Sequence, residues 1–292
     1  MAGTCPAVAL ETGPEITPET DETNGDGTVL SQWDSGARPH RHIQIARLVA
    51  LEIIIVLAIS FGRSGVSSIL AIIERLTRDV PLAEQTTRMN PSIVPDRPWL
   101  DLSYQLFYFI LPTAEVLLVL YLLYLAYGQA RSLIGFNLAQ PWKDLGLGVA
   151  ICAGIGIPGL GFYFLARYLG INTEVTPANL SAHWWTIPVL ICAAIVAGVS
   201  EEVIMVGYLF TRLRTLNWAP VAVLITSAVI RGSYHLYQGF GGFLGNLVMG
   251  LAFGLIYLKT KRVLPLVITH TLIDIFAFVG YALLAPYLSD FL

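Results

Sequence analysis

Long runs of apolar residues recur through this chain and restrict how it can fold. A helix needs about 20 predominantly apolar residues to cross a bilayer, and most of the runs approach that length. Only 13% of the 292 residues are charged, whereas soluble domains carry about 25%. The sequence therefore predicts an all-α polytopic membrane protein in a lipid bilayer, with about seven transmembrane helices, at 43–62, 102–126, 144–169, 186–211, 217–230, 243–258 and 263–287.

The start of the chain has a different composition. Residues 1–37 contain seven acidic residues and no Lys or Arg, together with several Pro and Gly. Such a stretch cannot bury enough apolar area to offset the entropy of ordering it. We expect an acidic disordered tail over 1–42, N-terminal membrane helices over 43–185, and a helical core that carries the chemistry over 186–292.

The connection over 63–101 contains a second apolar pattern. Its hydrophobic residues recur at helical spacing, which predicts an amphipathic helix at the membrane interface. A lid over a cavity is the alternative for the same helix. The residues of the pattern are Val66, Ile69, Leu70, Ile73 and Leu76.

Lys and Arg are distributed unevenly between the connections, and cytoplasmic connections usually carry the excess. The connection over 63–101 does not discriminate, because it holds five Arg and five acidic residues. The alternation of the others predicts a multi-pass protein of the cell membrane with a cytoplasmic N-terminus and an outside C-terminus. The basic residues that indicate the cytoplasmic side are Arg38, Arg41, Arg47, Arg131, Lys143, Arg212, Arg214, Lys259, Lys261 and Arg262.

Ionisable residues inside the apolar runs are the candidates for function. Each costs about 2.5–3.5 kcal/mol on insertion scales, so together they must face one another or water. They cluster in the last four segments, as Glu201 and Glu202, Arg231 and His235, and His270 and Asp274. The second and third pairs are four residues apart, which places each pair on one helical face.

The adjacent acids cannot have the same role. On a helix Glu201 and Glu202 point about 100° apart, so one is expected to face the reaction centre and the other a structural partner. At 1.5 Å per residue, Glu201 and His270 lie roughly 16 and 12 Å from the cytoplasmic edge, but His235 lies roughly 27 Å from it. The disagreement disappears if segment five begins in the cytoplasm, if it tilts, or if the glycine-rich hairpin after His235 turns inside the protein.

A carboxylate with two imidazoles can activate water. The Glu serves as general base, while His235 and His270 either bind a metal ion or hydrogen-bond the water and the tetrahedral oxyanion. Zn²⁺ or another divalent ion suits these ligands, but a metal-free mechanism uses the same residues. The sequence holds no basic patch that would indicate a nucleic-acid partner.

Segments four to seven resemble the CPBP family of CAAX proteases and bacteriocin-processing enzymes. That family carries EExxxR, then FxxxH, then HxxxN or HxxxD on successive membrane helices. The corresponding stretches here are Glu201-Glu202-Val203-Ile204-Met205-Val206, Arg231-Gly232-Ser233-Tyr234-His235 and His270-Thr271-Leu272-Ile273-Asp274.

The resemblance implies an intramembrane endopeptidase acting on a membrane-associated or prenylated peptide or protein. It implies that Glu201 activates the water with His235 as its partner. His270 and Asp274 are then the pair that faces the oxyanion or a metal ion. Whether the enzyme is of the metallo- or glutamate-type stays open.

Two positions depart from the family pattern. Val206 replaces its arginine and Arg231 its phenylalanine. Independent decay of the motif would produce an inactive protein, whereas an arginine moved between facing helices would preserve an ion pair. We expect the second, with Arg231 bound to Glu202, because an unpaired buried charge is costly.

Two other functions are compatible with the sequence. A proton-coupled transporter would use Glu115, Glu201 and His270 as a relay. A non-catalytic membrane protein would use the same helices to bind a partner.

Overall fold

The computed structural model describes residues 37–288, and the side chains of 43–284, so the tail expected over 1–42 lies almost entirely outside the described residues. The described chain is helical apart from two short strands. Its helices are α1 (Ala37–Leu57), α2 (Arg63–Leu76), α3 (Pro98–Tyr108), α4 (Ile110–Tyr127), α5 (Pro141–Tyr168), α6 (Thr186–Glu201), α7 (Leu209–Thr215), α8 (Pro220–Tyr234), α9 (Phe240–Thr260) and α10 (Leu264–Leu288). Two π-helical turns, Ala58–Gly62 and Glu202–Tyr208, join α1 to α2 and α6 to α7.

Six helical stretches are long and apolar enough to cross a membrane, which confirms the predicted polytopic all-α class. The fifth predicted segment corresponds to α8, which is apolar but only 15 residues long. With α8 the total is the predicted seven. The six longer stretches are Ile43–Leu76, Pro98–Tyr127, Pro141–Tyr168, Thr186–Thr215, Phe240–Thr260 and Leu264–Leu284.

The amphipathic helix expected after the first segment is present as α2, but it is a direct continuation of α1. Together they form a helical stretch of 34 residues, about 51 Å long, which exceeds the roughly 30 Å hydrocarbon core. The predicted apolar face of α2 is exposed, including Val66 and Leu70. Its opposite face packs on α8, where Ser68 donates a hydrogen bond to the carbonyl of Tyr234 at 2.8 Å.

The connections meet at two ends of the helical bundle. At the first, which we call the strand end, β1 (Thr86–Arg88) pairs in parallel with β2 (Glu174–Thr176), and Asn172 bridges to Gly239. At the second, the basic end, Arg262 binds Asp144 through two hydrogen bonds of 2.7 and 2.6 Å. The connections that the Lys and Arg pattern assigned to opposite sides therefore lie at opposite ends, while the strands themselves were not predicted.

Close helix packing in the C-terminal half depends on small residues, as is usual in membrane proteins. A Cβ added at Gly254 of α9 would lie 2.3 Å from the side chain of Leu224 on α8. A Cβ at Gly148 of α5 would lie 2.6 Å from Ile268 on α10. These contacts pack α9 closely against α8 and α5 closely against α10.

Candidate active site

The two adjacent glutamates lie where α6 changes into a π-helical turn. Glu201 is the last residue of α6, and Glu202 begins the seven-residue turn. A π-turn shifts the backbone pairing by one residue and is frequent at functional sites. Ser227 of α8 donates a hydrogen bond to the carbonyl of Met205 at 2.8 Å, which gives the widened turn a partner on the neighbouring helix.

Glu201 faces a cavity of about 400 Å³ between α6 and the α3–α4 region. Its Oε2 accepts a hydrogen bond of 2.7 Å from the hydroxyl of Tyr234. The same oxygen lies 3.5 Å from Nη1 of Arg231 and 3.8 Å from Nε2 of His235. The Glu201 side chain retains 12% exposure and lines the cavity, while protein groups hold Oε2.

Glu202 is fully enclosed, with 0% exposure. Its Oε1 accepts a hydrogen bond of 2.7 Å from Nη2 of Arg231 and lies 2.7 Å from Nδ1 of His270. The predicted ion pair between Arg231 and Glu202 is therefore confirmed. The guanidinium also lies over the ring of Phe253, 5.4 Å from its centroid, which adds a cation–π contact.

His270 links this ion pair to Asp274. Nδ1 of His270 is the donor to Oε1 of Glu202 when that carboxylate is ionised, because an ionised carboxylate can only accept hydrogen bonds. Nε2 lies 3.6 Å from Oδ2 of Asp274, one helical turn along α10. His270 and Asp274 therefore lie on one face of α10, as predicted.

The chain turns directly after His235. The chain turns immediately after α8, at Leu236–Gln238, and Gly239 has a φ of +117°, which strongly favours glycine. The carbonyl of Gln238 accepts a hydrogen bond of 2.8 Å from the amide of Thr173, in the connection that precedes β2. The hairpin between α8 and α9 is thus half-buried against another connection at the strand end.

Tyr234 is the site residue that sequence reasoning missed. It donates to Glu201, and its ring stacks on Phe61 of the first π-turn with the centroids 4.7 Å apart. Its position beside His235 was the available signal. Adjacent residues on a regular helix point apart, so this position alone did not indicate that Tyr234 reaches Glu201.

The donor atoms of Glu201, Glu202 and His270 lie within 4.8 Å of one another, close enough to hold a metal ion. Of the two expected metal ligands, His270 is in this group and His235 is not. Arg231 already reaches both carboxylates, so a metal ion between them would have to displace its guanidinium. The three groups thus have the spacing of a metal site, and Arg231 competes with a metal ion for the two carboxylates.

Glu115 of α4 is separate from this network. It is partly buried, and among the described residues it makes no side-chain hydrogen bond or ion pair. It also does not line the cavity that reaches Glu201. The relay that a transporter would need is not connected by direct contacts in the described part of the chain.

These helices define a multi-pass membrane protein with a buried carboxylate–imidazole site beside a cavity. Residues 183–276 match the family model of the type II CAAX prenyl endopeptidase Rce1-like proteins. The match covers roughly a third of the chain, contains the polar cluster, and confirms the resemblance to the CPBP family. It implies an enzyme of the CAAX protease type. No curated protein and no solved structure matches the chain at a significant level.

Proposed function

We propose that this protein is an intramembrane endopeptidase that hydrolyses a peptide bond of a membrane-associated peptide or protein with water activated by Glu201. The observation that carries the proposal is the position of Glu201. Of the two acidic neighbours, it is the one that faces the cavity, and Tyr234 holds its carboxylate. A general base must be accessible to water and substrate, and Glu202 is not.

His235 is the partner of Glu201 in this reaction. Nε2 of His235 lies 3.8 Å from Oε2 of Glu201, and in this proposal the two groups share the water molecule as it is activated. Glu201 removes a proton from the water as the oxygen attacks the carbonyl carbon, and the same proton then passes to the leaving amine. In this proposal His235, whose Nε2 lies near Oε2 of Glu201, stabilises the developing oxyanion, and His270, held between Glu202 and Asp274, positions Glu202.

Glu202 and Arg231 have a positioning role in this proposal. Arg231 joins α8 to the π-turn after α6, and its guanidinium reaches both carboxylates. It holds α6 and α8 in register and supplies the positive charge that a metal ion would otherwise supply. We therefore infer a metal-free, glutamate-type mechanism. The retained ion pair also favours a working enzyme over a partner-binding protein with a decayed motif.

The test uses the full chain in lipid nanodiscs and a library of internally quenched peptides with apolar, prenylated and unprenylated members. Glu201→Gln should lower kcat/KM by about a thousandfold or more, because it removes the base. Glu115→Gln is the matched control, a membrane carboxylate outside the site, and should retain cleavage. Equal activity of Glu201→Gln and the unmodified protein would contradict the proposal. Proton flux into proteoliposomes that is lost in the Glu115→Gln variant would favour the transporter function.

A further inference from the structure

The cavity that reaches Glu201 extends from that residue to the strand end of the bundle. Its outer wall is formed by Asn90, Pro91 and Leu180, which lie beside the two strands. From there it follows α6 inward past Ala193 to Glu201. Beyond Glu201 the π-turn is closed, because its residues from Glu202 to Tyr208 are all buried. The cavity therefore reaches the strand end, which we take as its mouth, and none of its lining residues lies at the basic end.

Elements of the strand end hold the mouth of this cavity in shape. The side-chain amide of Asn90 donates to the carbonyl of Pro177 at 2.9 Å, and that of Gln105 donates to the carbonyl of Pro91 at 3.0 Å. The backbone oxygen and nitrogen of Asn179 also form hydrogen bonds with the backbone beside Asn90. The mouth is thus built from segments on both sides of the strand pair.

The charges at the two ends differ. At the strand end, the short connections 170–185 and 235–239 contain no Lys or Arg, and Arg167 precedes the first of them. The longer connection that starts at Arg63 holds five Arg and five acidic residues. An excess of Lys and Arg in short connections marks the cytoplasmic side, which is then the basic end. Its cations are Arg131, Lys143, Arg212, Arg214, Lys259, Lys261 and Arg262.

From these two observations we infer that the site receives its substrate from the outer face of the membrane, as an apolar, uncharged segment of polypeptide. The inference rests on the proposed endopeptidase function and narrows its substrate. A protein exported across the membrane or anchored on its outer face presents such a segment at the strand end. A prenylated C-terminus made in the cytoplasm does not.

The lining of the cavity supports the chemical part of this inference. Its walls are mainly apolar, with Ile93, Phe109 and Val196 among them, and its volume lies within the roughly 300–1,000 Å³ of ligand pockets. Among its lining residues, all in the described part of the chain, none is Lys, Arg or His. A terminal carboxylate inside it would be buried without a counter-charge, beside the negative Glu201, so an internal segment fits better than a free C-terminus.

The face of entry can be tested with cysteine labelling of the full chain in cells. In a background of Cys5→Ser, Cys152→Ala and Cys192→Ala, Ala193→Cys reports the cavity and Lys259→Cys the basic end. Spheroplasts and inverted vesicles are treated with a membrane-impermeant trimethylammonium methanethiosulfonate, and both labelling and peptide cleavage are followed. Leu180→Cys at the mouth is a second reporter, in case Ala193→Cys does not fold.

The expected result is labelling of Ala193→Cys in spheroplasts and of Lys259→Cys in inverted vesicles, with cleavage by the labelled Ala193→Cys lowered about tenfold or more against the same variant untreated. The reverse pattern, or a cavity cysteine labelled from neither side, would overturn the inference. If the labelling is as expected but no peptide is cleaved in a Glu201-dependent way, the proposed function fails while the assigned face stands.

The nature of the segment can be tested with one pair of peptides that differ only in a free or amidated C-terminus close to the scissile bond. Amidation removes the carboxylate, so kcat/KM should stay equal or rise. A loss of about tenfold or more on amidation would show that the site recognises a free C-terminus, against the inference.

Discussion

Glu201 and Glu202 are consecutive in the chain, yet the carboxylate of Glu201 lines a cavity and that of Glu202 is enclosed between Arg231 and His270. The change from α-helix to π-turn falls between them. One carboxylate is thereby available for chemistry, while the other fixes the helices that surround it. The following predictions separate these two roles.

Arg231→Phe should destabilise the protein by about 3–5 kcal/mol, because it leaves Glu202 buried without its counter-charge. Thermal unfolding in detergent measures the loss, and Arg214→Phe, at an exposed position, is the control. Adding Val206→Arg to Arg231→Phe should restore part of both stability and cleavage, since it returns the arginine to the turn that carries Glu202. An Arg231→Phe protein as stable as the unmodified one would argue against the ion pair.

Tyr234→Phe should lower kcat by about tenfold to a hundredfold with little change in KM, because Glu201 loses the hydroxyl that orients it. The ring stays in place on Phe61, so the unfolding temperature should change little. Tyr257→Phe, at another buried tyrosine, is the control and should cleave normally. An unchanged kcat in Tyr234→Phe would remove this residue from the site.

Gly198→Ala should separate α6 from α10 and cost about 1–3 kcal/mol. A Cβ at this position would lie 2.5 Å from Oγ1 of Thr271 and 3.0 Å from its backbone nitrogen, next to His270. Both the stability against unfolding and the rate of peptide cleavage should fall. Gly154→Ala is the matched control, since a Cβ there has nothing within 4 Å, and equal stability of the two variants would contradict the close approach of the helices.

Treatment with EDTA or 1,10-phenanthroline should leave cleavage by the purified protein unchanged, because Arg231 already supplies the positive charge between the acidic residues. Metal analysis of the protein should find much less than one ion per chain. Activity that is lost with chelator and restored by Zn²⁺ would establish a metalloenzyme, and Arg231 would then have to move when the ion binds.

The membrane class, the helical segments and the six ionisable residues of the candidate site could be predicted from the sequence. Each depends on a local property, such as the length of an apolar run or the cost of a charge within it. The Arg231–Glu202 pair could also be predicted, because an enclosed charge needs a partner and the two motif departures were complementary. The predicted fifth segment, 217–230, was already shorter than most of the others, and α8 is 15 residues long.

Other features were decided by contacts between distant segments, which only the tertiary structure contains. The π-turn depends on packing around Glu202 and on Ser227, which meets Met205 from another helix. The role of Tyr234 depends on how α8 ends against α2, where Ser68 binds its carbonyl. The choice of Glu201 as the residue facing the cavity depends on both. Side-chain direction at a helix junction is set by such neighbours, and spacing along a single helix cannot specify it.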